Sequence, residues 1–219
     1  MGNVLITGAG TGLGKALAHR YAEEGHQVFL AGRTEKNLLI AQNEIKNKGG
    51  RSEVLICDVT EPASITEALR QIDQIDVLIN NAGIGLFGSL QELAVEDVED
   101  TLNTNIKGTI LMTQSAYPKL KESKGRVLNI ISTAGLRGKN HESVYCASKF
   151  AVRGFTESLH KEWENEEISA TAVYMGGMNT PFWNETDHVD NPDRLKGPEG
   201  VAEQIFQEDD GREAIYIDK

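Results

Sequence analysis

The chain has 219 residues, 39% of them hydrophobic and 25% charged, with 22 lysines and arginines against 33 aspartates and glutamates. A net charge of −11 with no clustered basic residues excludes the electrostatic footprint of a nucleic-acid binder, and the length suits one α/β domain rather than two. No apolar run approaches the roughly 18 residues of a membrane helix, and two cysteines, Cys57 and Cys146, form neither a disulfide framework nor a CxxC motif.

The N-terminus runs directly into an apolar segment, Val4–Thr7, without the basic region and cleavage site of a signal peptide. Together with the cysteine count this predicts a cytoplasmic protein, in which the sequon Asn184-Glu185-Thr186 stays unmodified. Further short runs rich in Val, Ile and Leu follow at Val28–Ala31, Val54–Cys57, Val77–Asn80, Val127–Ile131 and Ala170–Tyr174, and a seventh is expected at Ala214–Ile217. Runs without polar alternation are the pattern of strands covered on both faces. Helical patterns lie between them at Leu13–Glu24, Glu35–Lys48, Ala63–Ile72, Ala94–Lys121 and Val144–Glu164. The alternation predicts an α/β fold: a single-domain, Rossmann-like, doubly wound parallel sheet of six to seven strands, with helices on both faces. One domain over residues 1–219 is expected, with the polar, Pro-containing segment at about 180–200 as a lid rather than a linker. In such sheets ligands bind beyond the carboxyl ends of the strands.

At the first such end lies Thr7-Gly8-Ala9-Gly10-Thr11-Gly12-Leu13-Gly14. GxGxxG does not fit, because the third glycine position holds Leu13 or Lys15. The P-loop pattern does not fit either, since Ala16 follows Gly14-Lys15 and Ala9 holds the leading position. What remains is TGxxxGxG, whose glycines let the backbone turn tightly and approach a pyrophosphate at a helix N-terminus. A plain strand-to-helix turn needs only one or two glycines. After the second strand, dinucleotide sites for NAD carry an acid roughly 20 residues past the glycines. Here the segment is Leu30-Ala31-Gly32-Arg33-Thr34. Arg33 suits a 2′-phosphate, with Lys15 and Thr34 assisting. Otherwise Arg33 is a solvated loop cation. The expectation is NADP(H), with NAD(H) left open.

Tyr145 and Lys149 are four residues apart at the start of a helical pattern, so they share a face. A phenol titrates near ~10, and an adjacent ammonium favours its ionised form, which suits proton transfer. Ser132 ends the fifth apolar run and can polarise a carbonyl. Alone, YxxxK also describes an ordinary surface pair.

Together these motifs resemble the short-chain dehydrogenases/reductases over about residues 3 to 206. The resemblance rests on Thr7–Gly14, Cys57-Asp58-Val59, Asn80-Asn81-Ala82-Gly83, Asn105 in TNIKG, Ser132 in NIISTAG, and Tyr145-Cys146-Ala147-Ser148-Lys149. It implies that Tyr145 moves the proton, Ser132 orients the carbonyl, Lys149 lowers the tyrosine pKa and holds the nicotinamide ribose, and Asn105 supports a relay water. It implies cofactor contacts from Thr7, Gly8, Gly10, Thr11, Gly12, Leu13 and Gly14, from Arg33, Thr34, Asp58 and Val59, from Asn81, Ala82 and Gly83, and from Thr180. An NADP-dependent oxidoreductase acting on a small carbonyl or secondary alcohol follows, as a homodimer or homotetramer through the long helices. The alternative is a non-catalytic NADP(H)-binding regulator on the same fold. Two departures bear on the substrate end: Met175-Gly176-Gly177 replaces the family's Pro-Gly, and the C-terminal part is shorter than in longer members. Phe182 and Trp183 suit a lid underside, and Leu86 and Phe87 the opposite wall. His141 and His188 either line the pocket or are solvated. No HxH, HExxH or Cys/His cluster exists, so no metal site is expected.

Overall fold

The computed structural model describes residues 1–184, 186 and 188–217. The central Glu185 of the sequon, Asp187 of the lid segment, and Asp218 and Lys219 at the end of the expected domain lie outside the described residues. Seven strands, β1 (Asn3–Thr7), β2 (Gln27–Gly32), β3 (Arg51–Ile56), β4 (Val77–Asn80), β5 (Arg126–Ile130), β6 (Ser169–Tyr174) and β7 (Ala214–Tyr216), form one parallel sheet. Their order is β3-β2-β1-β4-β5-β6-β7. The order reverses at β1 and β4, so the crevice of the fold opens there. The helices are α1 (Gly12–Glu23), α2 (Glu35–Asn47), α3 (Pro62–Arg70), α4 (Val95–Leu102), α5 (Gly108–Ser123), α6 (Ser143–Glu162) and α7 (Pro198–Glu208).

Alternate strand residues serve the two faces. Val4, Ile6, Val77, Ile79, Leu128 and Ile130 join the buried cluster beneath α1, α2 and α7. Leu5, Leu78 and Val127, one step out of phase, join the cluster beneath α3, α5 and α6. The central strands therefore read as continuous apolar runs, whereas edge strand β3 alternates exposed and buried residues.

Two elements differ from the sequence reading. The helix expected over Ala94–Lys121 is interrupted by a π-helical turn at Asn103–Lys107, which separates α4 from α5. The turn carries Asn105, whose side chain is bonded to the backbone of Ile84 on another loop. Wide turns of this kind concentrate at functional sites. The sequence reading also lacked α7. This helix opens with Gly197 and Pro198 and buries Val201, Ala202 and Ile205 against the first face. Arg20 of α1 lies 4.1 Å above the Phe206 ring, and the Asp209 carboxylate just past α7 accepts from Tyr21 and Arg126. Among the described residues no helix is long and apolar enough to cross a membrane.

Candidate active site

The carboxyl ends of β1, β4, β5 and β6 and the segment after β6 enclose a cleft of about 290 Å³. Gly8, Thr11, Gly12 and Leu13 form one wall, and Asn81, Ala82 and Gly83 the next. Ser132, Tyr145, Lys149 and Thr180 complete it, so the glycine loop and the expected catalytic groups share one space. A second cleft of about 120 Å³, at the β1–β2–β3 end, is lined by Arg33, Asp58 and Val59 and meets the first at Gly8, Ala82 and Gly83.

The glycine loop is shaped by close approach. Gly8 and Gly12 have φ of +65° and +52°, where a side chain would be strained. A Cβ on Gly14 would sit 2.3 Å from the Gly8 carbonyl oxygen, so this glycine lets α1 pack onto the turn and does not line the cleft. Gly10 faces Asn37 on the outer side of the loop. Thr11 is the N-cap of α1 but makes no side-chain cap bond, which leaves the first helical N–H groups directed at the cleft. Thr7 is buried beneath the turn and reaches the site through its neighbours: its hydroxyl accepts the main-chain N–H of Asn81 and of Ala82, each at 3.0 Å. Asn81 in turn donates to the Thr7 and Gly8 carbonyls at 3.0 and 3.2 Å.

In the second cleft Arg33 is exposed and makes no hydrogen bond or ion pair among the described residues. Asp58 accepts from the N–H and hydroxyl of Thr60 at 2.9 and 2.8 Å. Thr34 is the exposed N-cap of α2 and lines neither cleft. Lys15, expected to assist with phosphate, instead pairs with Glu44 at 2.7 Å on the outer face. The other residues fit a dinucleotide phosphate: a positive-φ glycine turn, open helix N–H groups and an unpaired guanidinium lie along one groove.

The three groups expected to carry the chemistry are nine-tenths buried: Ser132 is 8% exposed, Tyr145 9% and Lys149 7%. Ser132 sits at φ +116°, in a region where non-glycine residues cost energy and cluster at functional sites. Its hydroxyl accepts the N–H of Ala134 at 3.2 Å. Burial holds the Tyr145 phenol well above its ordinary pKa. The Ser132 hydrogen bond pulls it down, and the Glu142 carboxylate and Cys146 push it up further. The Lys149 ammonium donates to the Ile130 carbonyl at 3.0 Å and lies 5.6 Å from the Tyr145 ring centre. Burial brings its pKa down to about 8. Burial is the largest influence on the phenol. Asn105 lies behind Gly83 and outside the cleft lining. Its carboxamide is held by the Ile84 N–H and carbonyl at 2.8 and 2.9 Å and by Ser148 Oγ at 3.0 Å.

The sequence reading passed over Glu142, 7% exposed, and Lys139, both on the cleft wall. Its two open histidines resolve differently. His188 bonds to Glu142 and stacks on Phe87 at 4.4 Å between ring centres, whereas His141 contributes its carbonyl, which accepts from Gly88 at 3.0 Å. Met175, at the family's proline position, is buried, and its carbonyl accepts the Thr133 N–H at 2.8 Å. Trp183 donates to the Met178 carbonyl at 2.8 Å, folding the lid back on its own stem.

A family model described as short chain dehydrogenase matches residues 2–191. A sepiapterin reductase of Chlorobaculum tepidum is 32% identical over 216 residues, covering 93% of this chain and 88% of that protein. The solved structure of a single-substitution variant of an actinorhodin polyketide ketoreductase with NADPH superposes with a TM-score of 0.89 at 29% identity, covering 98% of this chain and 95% of the other. A short-chain dehydrogenase from Sphingobium yanoikuyae in complex with NADPH gives a TM-score of 0.90 at 26% identity, covering 99% and 87%.

Proposed function

The chain belongs to the short-chain dehydrogenases, a family of oxidoreductases, and from that premise we propose that it is an NADP(H)-dependent enzyme in which Tyr145 is the general acid/base for interconverting a carbonyl and a secondary alcohol. The observation that carries this reading is the convergence of Ser132, Tyr145 and Lys149 on the cleft that the glycine loop walls. When bound, the nicotinamide supplies or accepts the hydride. Ser132 and Tyr145 then hold the carbonyl oxygen between two hydroxyl groups, and the tyrosine gives its proton to that oxygen in the reductive direction. A phenol kept protonated by burial is ready for that step. Lys149, anchored on the Ile130 carbonyl, would hold the cofactor ribose with its remaining N–H groups. Asn105 acts through position: it fixes the backbone at Ile84, beside Gly83, and through Ser148 the first turn of α6.

Arg33 carries the preference for NADP over NAD, and the NADPH or NADP+ held by related structures supports it. A related structure with NAD keeps that cofactor open. Thr11, Gly12 and Leu13 receive the pyrophosphate, Asp58 and Val59 the adenine, and Thr180 the carboxamide. The non-catalytic alternative is disfavoured because Tyr145 and Lys149 are both present and both in the cleft. We read residues 1–219 as one catalytic domain with 180–200 as its lid, and as a homodimer or homotetramer. Exposed Ile110 and Phe150 on α5 and α6 support the assembly, and two buried free cysteines support a cytoplasmic setting. An NADPH-consumption screen across ketones, aldehydes and quinones tests the reading. Turnover is expected with at least one class and is expected to vanish in Tyr145→Phe, whereas turnover surviving in that variant removes Tyr145 from its role.

A further inference from the structure

Glu142 is a carboxylate inside the cleft that the chemistry above does not use. Its side chain is 8% exposed. It is the N-cap of α6, three residues before Tyr145, and both residues line the same cleft. Its charge is felt at the Tyr145 phenol. A buried carboxylate has about four acceptor positions, and leaving them empty is costly. Here one oxygen accepts from His188 at 3.0 Å. Among the described residues the other makes no hydrogen bond and pairs with the Lys139 ammonium at 3.8 Å. Two aromatic rings line the same cleft as the carboxylate: Phe182, 6.0 Å from Tyr145, and Trp183, 5.0 Å from Phe182, each measured between ring centres.

We propose that Glu142 is a specificity-determining residue, which receives an ammonium or other cationic N–H group of a flat, ring-bearing ketone whose carbonyl lies at Ser132 and Tyr145. The proposal rests on the reading of this cleft as a carbonyl site and adds the substrate class. The Phe182 and Trp183 rings hold the substrate ring, and the carboxylate oxygen that makes no hydrogen bond among the described residues takes the donor.

The test compares 3-(aminomethyl)acetophenone with 3-ethylacetophenone, which share a shape and differ by one ammonium group. Wild-type enzyme with NADPH is expected to prefer the ammonium ketone by about tenfold or more in kcat/KM, the range of one charge-assisted hydrogen bond, and mainly through KM. Glu142→Gln, close in volume, should bring the ratio near one, and Glu142→Asp, which keeps the carboxylate, should retain part of it. A wild-type ratio near one overturns the proposal, as does a ratio unchanged in Glu142→Gln. If neither acetophenone reacts while other carbonyls do, the proposal fails and the oxidoreductase reading stands. If no carbonyl of any class is reduced, both fail together.

Discussion

Asn81 donates to Thr7 twice: its main-chain N–H to the Thr7 hydroxyl at 3.0 Å, and its carboxamide to the Thr7 carbonyl at 3.0 Å. The end of β4 is thereby fastened to the end of β1 at the crevice, where the sheet order reverses and backbone pairing stops. Thr7→Val keeps the shape and removes the acceptor for two N–H groups, those of Asn81 and Ala82. A loss of about 2 kcal/mol in unfolding free energy is expected, since each unpaired donor costs on the order of 1 kcal/mol or more. Cofactor affinity should fall as well, because the two loops of the groove lose their common anchor. Urea denaturation and cofactor titration of the same sample measure both effects.

Tyr145→Phe removes a hydroxyl and little volume. Loss of a positioned general acid is expected to lower kcat by ~10²–10⁴-fold, with NADPH binding nearly unchanged by fluorescence titration. The pH dependence has a definite sign. Burial and the Glu142 carboxylate raise the phenol pKa, so the protonated form dominates across neutral pH. Reduction should stay level from mildly acidic to neutral pH, whereas alcohol oxidation, which needs the ionised phenol, should rise with pH. Initial rates in both directions over one buffer series decide it.

The strands and the glycine turn were legible because their signals are local: apolar runs such as Val77–Asn80, and glycines where φ turns positive. What escaped depends on contacts distant in sequence. The π turn at Asn105 follows from bonds to Ile84, 21 residues earlier. The Glu142–His188 pair spans 46 residues. Lys15 looked free for phosphate until α2 brought Glu44 beside it. Helix α7 was hidden for another reason. Its apolar positions, Val201, Ala202, Ile205 and Phe206, follow a polar lid, and Gly197-Pro198 reads as loop unless proline is taken as the first helical residue.

Arg33 lines the second cleft without a partner among the described residues. A guanidinium that meets a phosphate gains a charge-assisted bond of ~1.5–3 kcal/mol. Arg33→Ala is therefore expected to weaken NADPH by roughly 10–100-fold and to leave NADH affinity close to its starting value. Titration calorimetry with both cofactors separates the two. Equal losses for NADPH and NADH would mean that the residue does not read the 2′-phosphate.

The buried Lys149 ammonium puts a cost on the fold. A pKa brought to about 8 by burial, against an ordinary 10.5, corresponds to roughly 3 kcal/mol of unfavourable desolvation when the amine is charged. Between those two values the unfolded chain binds more protons than the folded one, so this group makes stability rise with pH from about 8 to about 10.5. Below pH 8 the penalty is present in full. The Tyr145 phenol acts oppositely above pH 10, since the folded state keeps a proton that the unfolded chain releases. Lys149→Met keeps the aliphatic stem, removes the charge and gives up one bond to the Ile130 carbonyl, worth about 1 kcal/mol. The variant should thus be inactive yet more stable than the parent by on the order of 2 kcal/mol at pH 7, with the advantage shrinking toward pH 10. Calorimetric Tm values at pH 7 and 9.5 measure the difference. A variant less stable than the parent at pH 7 would show that the ammonium is better accommodated than its burial implies.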